Sequence, residues 1–182
     1  MNEKDGKTIV TSLDYYEYLV ISGIKFASGV PCSAVNKLIH LLDSSDNINY
    51  TPAPREDIAV SLSFGYALST GELPLVLMQN SGIGTSLDAL VTEPILYEVP
   101  LLLLVTWRGF YKRGIDEIGD EQQHWLWGDI TKSVLESAGI KCFELNSTNQ
   151  FESTTAAILH AKKTKQTCAL LLVRNESIHE NR

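Results

Sequence analysis

With 182 residues, 44% of them apolar and 20% charged, the chain is long enough to bury one sizeable core and too short to suggest two domains. A net charge of -7 and a sequence pI near 5.1 argue against a nucleic-acid surface, which needs clustered Lys and Arg to neutralise phosphates. The polar start Met1-Asn2-Glu3-Lys4-Asp5-Gly6-Lys7 lacks the apolar core of a secretory signal, so the expectation is a cytoplasmic protein with no membrane partner.

Taken in order, the chain alternates helical and strand-like patterns. Residues 11–22 predict a helix capped by Thr11 or Ser12, and residues 25–30 a short strand leading into Pro31. A second helix over 34–42 carries Val35, Leu38, Ile39 and Leu42 on one face, before a short strand at 49–51. The stretch Pro52-Ala53-Pro54-Arg55-Glu56-Asp57 then opens a helix that ends near Thr70-Gly71. Residues 73–78 and 101–106 are continuous apolar runs, as expected of strands buried on both faces of a parallel sheet. Between them, 85–97 is helical in pattern, with Pro94 expected to kink it or end it early. A helix over 130–138, a strand over 141–145, a helix over 151–163 and a strand over 168–173 complete the series.

This alternation predicts a doubly wound α/β fold: a mostly parallel six-stranded sheet with helices on both faces, in a single domain spanning 1–182, with 1–8 and 175–182 as tails. Cys32, Cys142 and Cys168 are odd in number and widely spaced, which suits neither a disulfide framework nor a zinc site. The latter two sit in strand-like runs and read as core residues.

In such a sheet ligands bind outside the carboxyl ends of the strands, which directs attention to the loops at Pro31, at 52–56, at 79–86 and at 107–124. Gly82 and Gly84 in the third loop suit close approach to an anion. Leu87, however, stands where a dinucleotide fingerprint needs a small residue, and no Gly-Lys-Ser or Gly-Lys-Thr follows. On this loop alone, a plain tight strand-to-helix turn is the favoured reading of the glycines. In the fourth loop Asp120, Glu121 and His124 could be imagined around a metal, but a charged surface loop is the simpler reading. Glu56 by itself is either a first-turn charge favoured by the helix dipole or a group aimed at a ligand.

Together and in this order, Gly29-Val30-Pro31-Cys32-Ser33, Glu56 through Ala59-Val60, Val76-Leu77-Met78-Gln79-Asn80-Ser81-Gly82-Ile83-Gly84, Leu103-Leu104-Val105-Thr106-Trp107-Arg108-Gly109 and Asp120-Glu121-Gln122-Gln123-His124 resemble a known family. They are similar to the alpha subunit of sulfopyruvate decarboxylase and the amino-terminal half of phosphonopyruvate decarboxylase, both thiamine diphosphate-dependent decarboxylases. The resemblance implies the pyrimidine-binding domain of the thiamine diphosphate-binding fold. It implies that Glu56 hydrogen-bonds N1′ of the aminopyrimidine, favouring the imino tautomer whose 4′-nitrogen takes the proton from the thiazolium C2. Pro31, Asn80, Ser81 and Gly82 are the other cofactor contacts it implies, with Ser33, Arg108 and His124 toward a small anionic 2-oxo acid.

The resemblance further implies that magnesium and the diphosphate are held by a Gly-Asp-Gly motif in a second domain. Gly119-Asp120-Glu121 and Gly128-Asp129-Ile130 do not match that motif. The implied metal ligands in this chain are therefore none, and a diphosphate-binding beta subunit is expected, in an α2β2 assembly or a multiple. A non-catalytic partner or regulatory module keeping the fold is the alternative. The sequence departs from the family pattern in having Arg55-Glu56-Asp57 for Asn-Glu-Gly, Gln122 for proline, and a longer connection between Trp-Arg-Gly and Asp-Glu.

Overall fold

The computed structural model describes residues 2–4, 7–110, 120–146 and 148–173. The expected tail at 175–182, and Lys112, Arg113, Asp116, Glu117 and Gly119 of the fourth loop, lie outside the described residues. At the amino end, where a tail is expected, β1 (Asn2–Lys4) and β2 (Lys7–Ile9) pair as a separate antiparallel ribbon.

The chain then runs α1 (Ser12–Ile21), β3 (Phe26–Gly29), α2 (Asn36–Asp43), β4 (Asn49–Pro52), α3 (Glu56–Thr70), β5 (Leu75–Gln79), α4 (Ile83–Leu90), β6 (Leu102–Trp107), α5 (Gln122–Ser137), β7 (Lys141–Leu145), α6 (Gln150–Thr164) and β8 (Cys168–Val173). Strands β3 to β8 form one six-stranded sheet in the order β4-β3-β5-β6-β8-β7, and every pairing in it is parallel.

Strand alternation sorts the core into two layers. Leu75, Leu77, Leu102, Leu104, Leu170 and Leu172 pack with α1, α2 and α6 on one face. Val76, Met78, Leu103, Val105, Leu171 and Val173 pack with α3, α4 and α5 on the other. Both faces are covered, so β6 and β8 are buried along their whole length, which is why they read as unbroken apolar runs.

Helix ends follow local chemistry. Thr11 caps α1 in a reciprocal box, its Oγ1 accepting from the Asp14 amide at 3.2 Å while the Asp14 carboxylate accepts from the Thr11 amide at 2.9 Å. Gly71, at φ 73°, ends α3 in a left-handed cap. The helix containing Pro94 ends early, as expected. Regular α4 ends at Leu90, and a π turn over Val91–Ile95 absorbs the proline's missing donor.

The largest departure from expectation is α5, which begins at Gln122 rather than near 130. Cys168 is buried and Cys142 half-buried, both free thiols pushed up to about 12 by burial, which fits their reading as core residues.

Candidate active site

Strand β3 lies between β4 and β5. The chain leaves it through α2 on one face and returns across it through α3 on the other. This reversal opens a crevice between the carboxyl ends of β3 and β5. The loop after β3, the first turn of α3, the 3₁₀ turn Asn80–Gly82 and the end of β6 all stand at that end of the sheet.

Glu56 is the first residue of α3, after Arg55 in extended backbone. A Cβ on Gly82 would lie 2.4 Å from its Cγ, 2.5 Å from its Cδ and 2.6 Å from its Oε1. Only glycine at 82 lets the carboxylate lie against that turn. The flanking charges do not quench it. Arg55 instead pairs with Asp57, at 3.2 Å from Nε and 2.8 Å from Nη2. Glu56 is half-buried, and among the described residues its carboxylate has no hydrogen-bond partner. The helix start favours negative charge there.

Asn80, one of the implied cofactor contacts, has its side chain engaged within the protein. It is fully buried, with Nδ2 donating to the Arg108 carbonyl at 2.8 Å and to Thr131 Oγ1 at 2.9 Å, and Oδ1 accepting from the Arg108 amide at 3.3 Å. Its side chain is thus spent on tying the Gly82 turn to the end of β6 and to α5. Ser81 is half-exposed, its Oγ accepting from Gln79 Nε2 at 2.7 Å.

Arg108 is also partly committed. Its Nε and Nη2 each lie 2.6 Å from the Asp120 carboxylate in a bidentate pair, with the two side chains only 13% and 6% exposed. The amides of Gly109 and Glu121 donate to the same carboxylate at 2.9 and 3.0 Å. Burial alone would raise the Asp120 carboxyl, but Arg108 and these amides outweigh it and hold the group far below the ordinary carboxylate range. The same bond raises the Arg108 guanidinium against its own desolvation. The stability linked to Asp120 is therefore complete above about pH 4 and is lost as pH falls through the lowered native value.

Two backbone contacts seat this corner on α5. A Cβ on Gly109, at φ 78°, would lie 2.0 Å from the His124 carbonyl oxygen, and one on Gly128 would lie 2.0 Å from the Gly109 carbonyl oxygen. Trp107 Nε1 donates to the Gly128 carbonyl at 2.9 Å. These contacts are the physical reason that α5 starts early. The signal in the sequence is the spacing of Gly128, Thr131 and Leu135, its buried residues.

Pro31 and Ser33 are exposed on the loop after β3. Between them, half-buried Cys32 turns inward, its Sγ 3.5 Å from Thr106 Oγ1 and 4.0 Å from Gln79 Oε1. The contacts of Cys32 with Gln79 and Thr106 depend on strand adjacency and carry no local signal in the sequence. His124 is half-buried in the first turn of α5, 3.5 Å from the Gln123 amide group. Among the described residues it makes no hydrogen bond to Glu56 or Arg108. The imagined metal trio is disfavoured by the commitments of Asp120, and no metal-competent group of three or more such side chains occurs among the described residues.

The family described as thiamine pyrophosphate enzyme, N-terminal TPP binding domain, matches residues 14–134. The chain belongs to this family. The match spans β3 to α5, and so includes every loop of the crevice. The chain is 30% identical to the sulfopyruvate decarboxylase subunit alpha of Methanococcus maripaludis, over 70% of its own length and 72% of that protein's. It is 38% identical to the subunit of the same name from Methanocaldococcus jannaschii, over 57% and 61%. It is 32% identical to the phosphonopyruvate decarboxylase of Streptomyces viridochromogenes, over 63% of its own length but only 27% of that enzyme's. Membership of the family supports thiamine diphosphate as the ligand. The crevice fits it, with an acid that has no hydrogen-bond partner among the described residues lying against the Gly82 turn. No helix among the described residues is long and apolar enough to cross a membrane.

Proposed function

We propose that this chain is the pyrimidine-binding subunit of a two-subunit thiamine diphosphate-dependent decarboxylase. Its substrate is a 2-oxo acid bearing an anionic group on carbon 3, such as sulfopyruvate or phosphonopyruvate, and its products are carbon dioxide and an aldehyde. The observation that carries this reading is Glu56, an acid without an internal partner held against Gly82 at the topological switch point.

Glu56, the backbone of the Asn80–Gly82 turn, Ser81 and Pro31 would hold the aminopyrimidine. Bound thiamine diphosphate supplies the electron sink for decarboxylation. Glu56 would hold a proton between its carboxylate and the pyrimidine N1′. Asn80 positions the turn. The loop after β3, with Ser33, the Arg108 corner and His124 face the substrate.

The diphosphate and its magnesium fall to a beta subunit, giving α2β2 or a multiple. Two relatives carry "subunit alpha" in their names, which supports a partner. So does the outer face of α3, continuous with Glu56, where Ile58, Leu62 and Leu68 are exposed beside Val91. Gly65 stands in the middle of this face with nothing within 4 Å of a Cβ. Nothing among the described residues needs glycine there, although glycine costs about 1 kcal/mol relative to alanine inside a helix. The close approach of a partner subunit gives a reason to keep it.

The test is reconstitution. The chain, its candidate beta subunit, thiamine diphosphate and magnesium are mixed, and carbon dioxide release is followed across a panel of 2-oxo acids. Activity is expected only with both subunits present; full turnover by this chain alone would refute the half-site reading. Gly65→Arg is expected to leave the isolated chain as stable as the wild type or slightly more so, while weakening subunit association at least about tenfold. Unchanged association by analytical ultracentrifugation would remove this face from the interface.

A further inference from the structure

An arginine side chain has five N–H donors. Asp120 takes one from Nε and one from Nη2 of Arg108, along the side of the guanidinium. The end-on edge formed by Nη1 and Nη2 has no acceptor among the described residues. The side chain is 13% exposed, and the bidentate pair fixes its direction. Arg108 directly follows the end of β6 at Trp107, and Cys32, from the loop after β3, reaches Thr106 Oγ1 two residues earlier at 3.5 Å, which puts the arginine at the crevice end of the sheet. The backbone of Arg108 is fixed as well, since Asn80 bonds both its amide and its carbonyl.

We propose that Asp120 is a positioning residue that presents the end-on edge of Arg108 to an oxyanion, and that this oxyanion is the sulfonate or phosphonate group of the substrate. The proposal rests on the decarboxylase reading above. Two effects of Asp120 oppose one another. Its charge repels an incoming anion, so Coulomb attraction alone would make binding tighter without it. Against that, an untethered arginine must lose its rotamer freedom on binding and can no longer meet a planar pair of oxygens without searching. The bidentate geometry and the burial of the pair make orientation the larger effect.

The experiment uses the reconstituted complex and compares sulfopyruvate with pyruvate, which lacks the second anion. Asp120→Asn is expected to raise KM for sulfopyruvate about tenfold, leaving KM for pyruvate and proton exchange at the cofactor C2 unchanged. Arg108→Lys should likewise raise KM for sulfopyruvate about tenfold, and the double variant should be no worse than Arg108→Lys alone, because one residue acts through the other. A fall or no change in KM for sulfopyruvate, an equal rise for both substrates, or additive losses would overturn the proposal. Calorimetric titration of the wild-type and Arg108→Lys complexes with methylphosphonate reads the same edge without turnover and does not depend on how Asp120→Asn folds; equal affinities would also overturn it. Failure of the wild-type complex to exchange the C2 proton would strike the decarboxylase reading instead, since that exchange does not involve Arg108.

Discussion

Glu56→Gln is expected to lower decarboxylation by the reconstituted complex by about 10²- to 10⁴-fold, the range for loss of a positioned acid–base group. The amide keeps the size of the side chain and its place against Gly82, so neither folding nor subunit association should change. What it loses is the ability to hold a proton against a ring nitrogen. The loss should therefore appear in kcat, with proton exchange at the cofactor C2 falling in parallel. Wild-type exchange in this variant would take Glu56 out of the site. The surroundings make the substitution informative, because Arg55 and Asp57 satisfy each other and no internal ion pair is broken when Glu56 becomes neutral.

Gly128→Ala is expected to destabilise the chain by about 3 kcal/mol, lowering Tm by roughly 6–12 °C for a domain of this size. The new Cβ would meet the Gly109 carbonyl oxygen at 2.0 Å and its carbon at 2.2 Å. Both are backbone atoms, in a turn already fixed by Asp120 and by the left-handed φ of Gly109. No flexible side chain can yield. Gly139→Ala makes the comparison: its φ is 80°, but nothing lies within 4 Å of the added carbon, so only backbone strain of roughly 1 kcal/mol is expected. Thermal denaturation that moved both variants equally would refute the contact between the Arg108-Gly109 corner and α5.

How much of this was legible in the sequence depended on whether a signal was local. Strands β6 and β8 were readable because burial on both faces leaves unbroken apolar runs, and Gly71 marked the end of α3 because a left-handed cap selects glycine. The front half of α5 was not readable. Its Trp127, Gly128 and Thr131 answer to Gly84, Gly109 and Asn80, all distant in the chain. Pro94 suggested a break, and regular α4 does end at Leu90, but no local signal marked the π turn that follows.

The site shows the same division. Family motifs pointed to Glu56, but only coordinates bring it against Gly82. The motifs drew attention to Asn80 and Arg108, while their side-chain commitments to Thr131 and Asp120 are tertiary. Spacing alone could not separate a ligand contact from a residue that holds another in place.

The clamp at the base of the fourth loop bears on how this chain can diverge. Arg108, Gly109 and Asp120 fix both ends of the connection between β6 and α5, so a change in its length need not disturb either element. Lengthening a loop whose ends are already closed is entropically cheap, about 0.6 kcal/mol for each doubling. The longer connection here, relative to the family pattern, is the kind of variation such an anchored base permits. Insertions at this rim of the crevice give a lineage a place to remodel specificity while the acid against the glycine turn stays as it is.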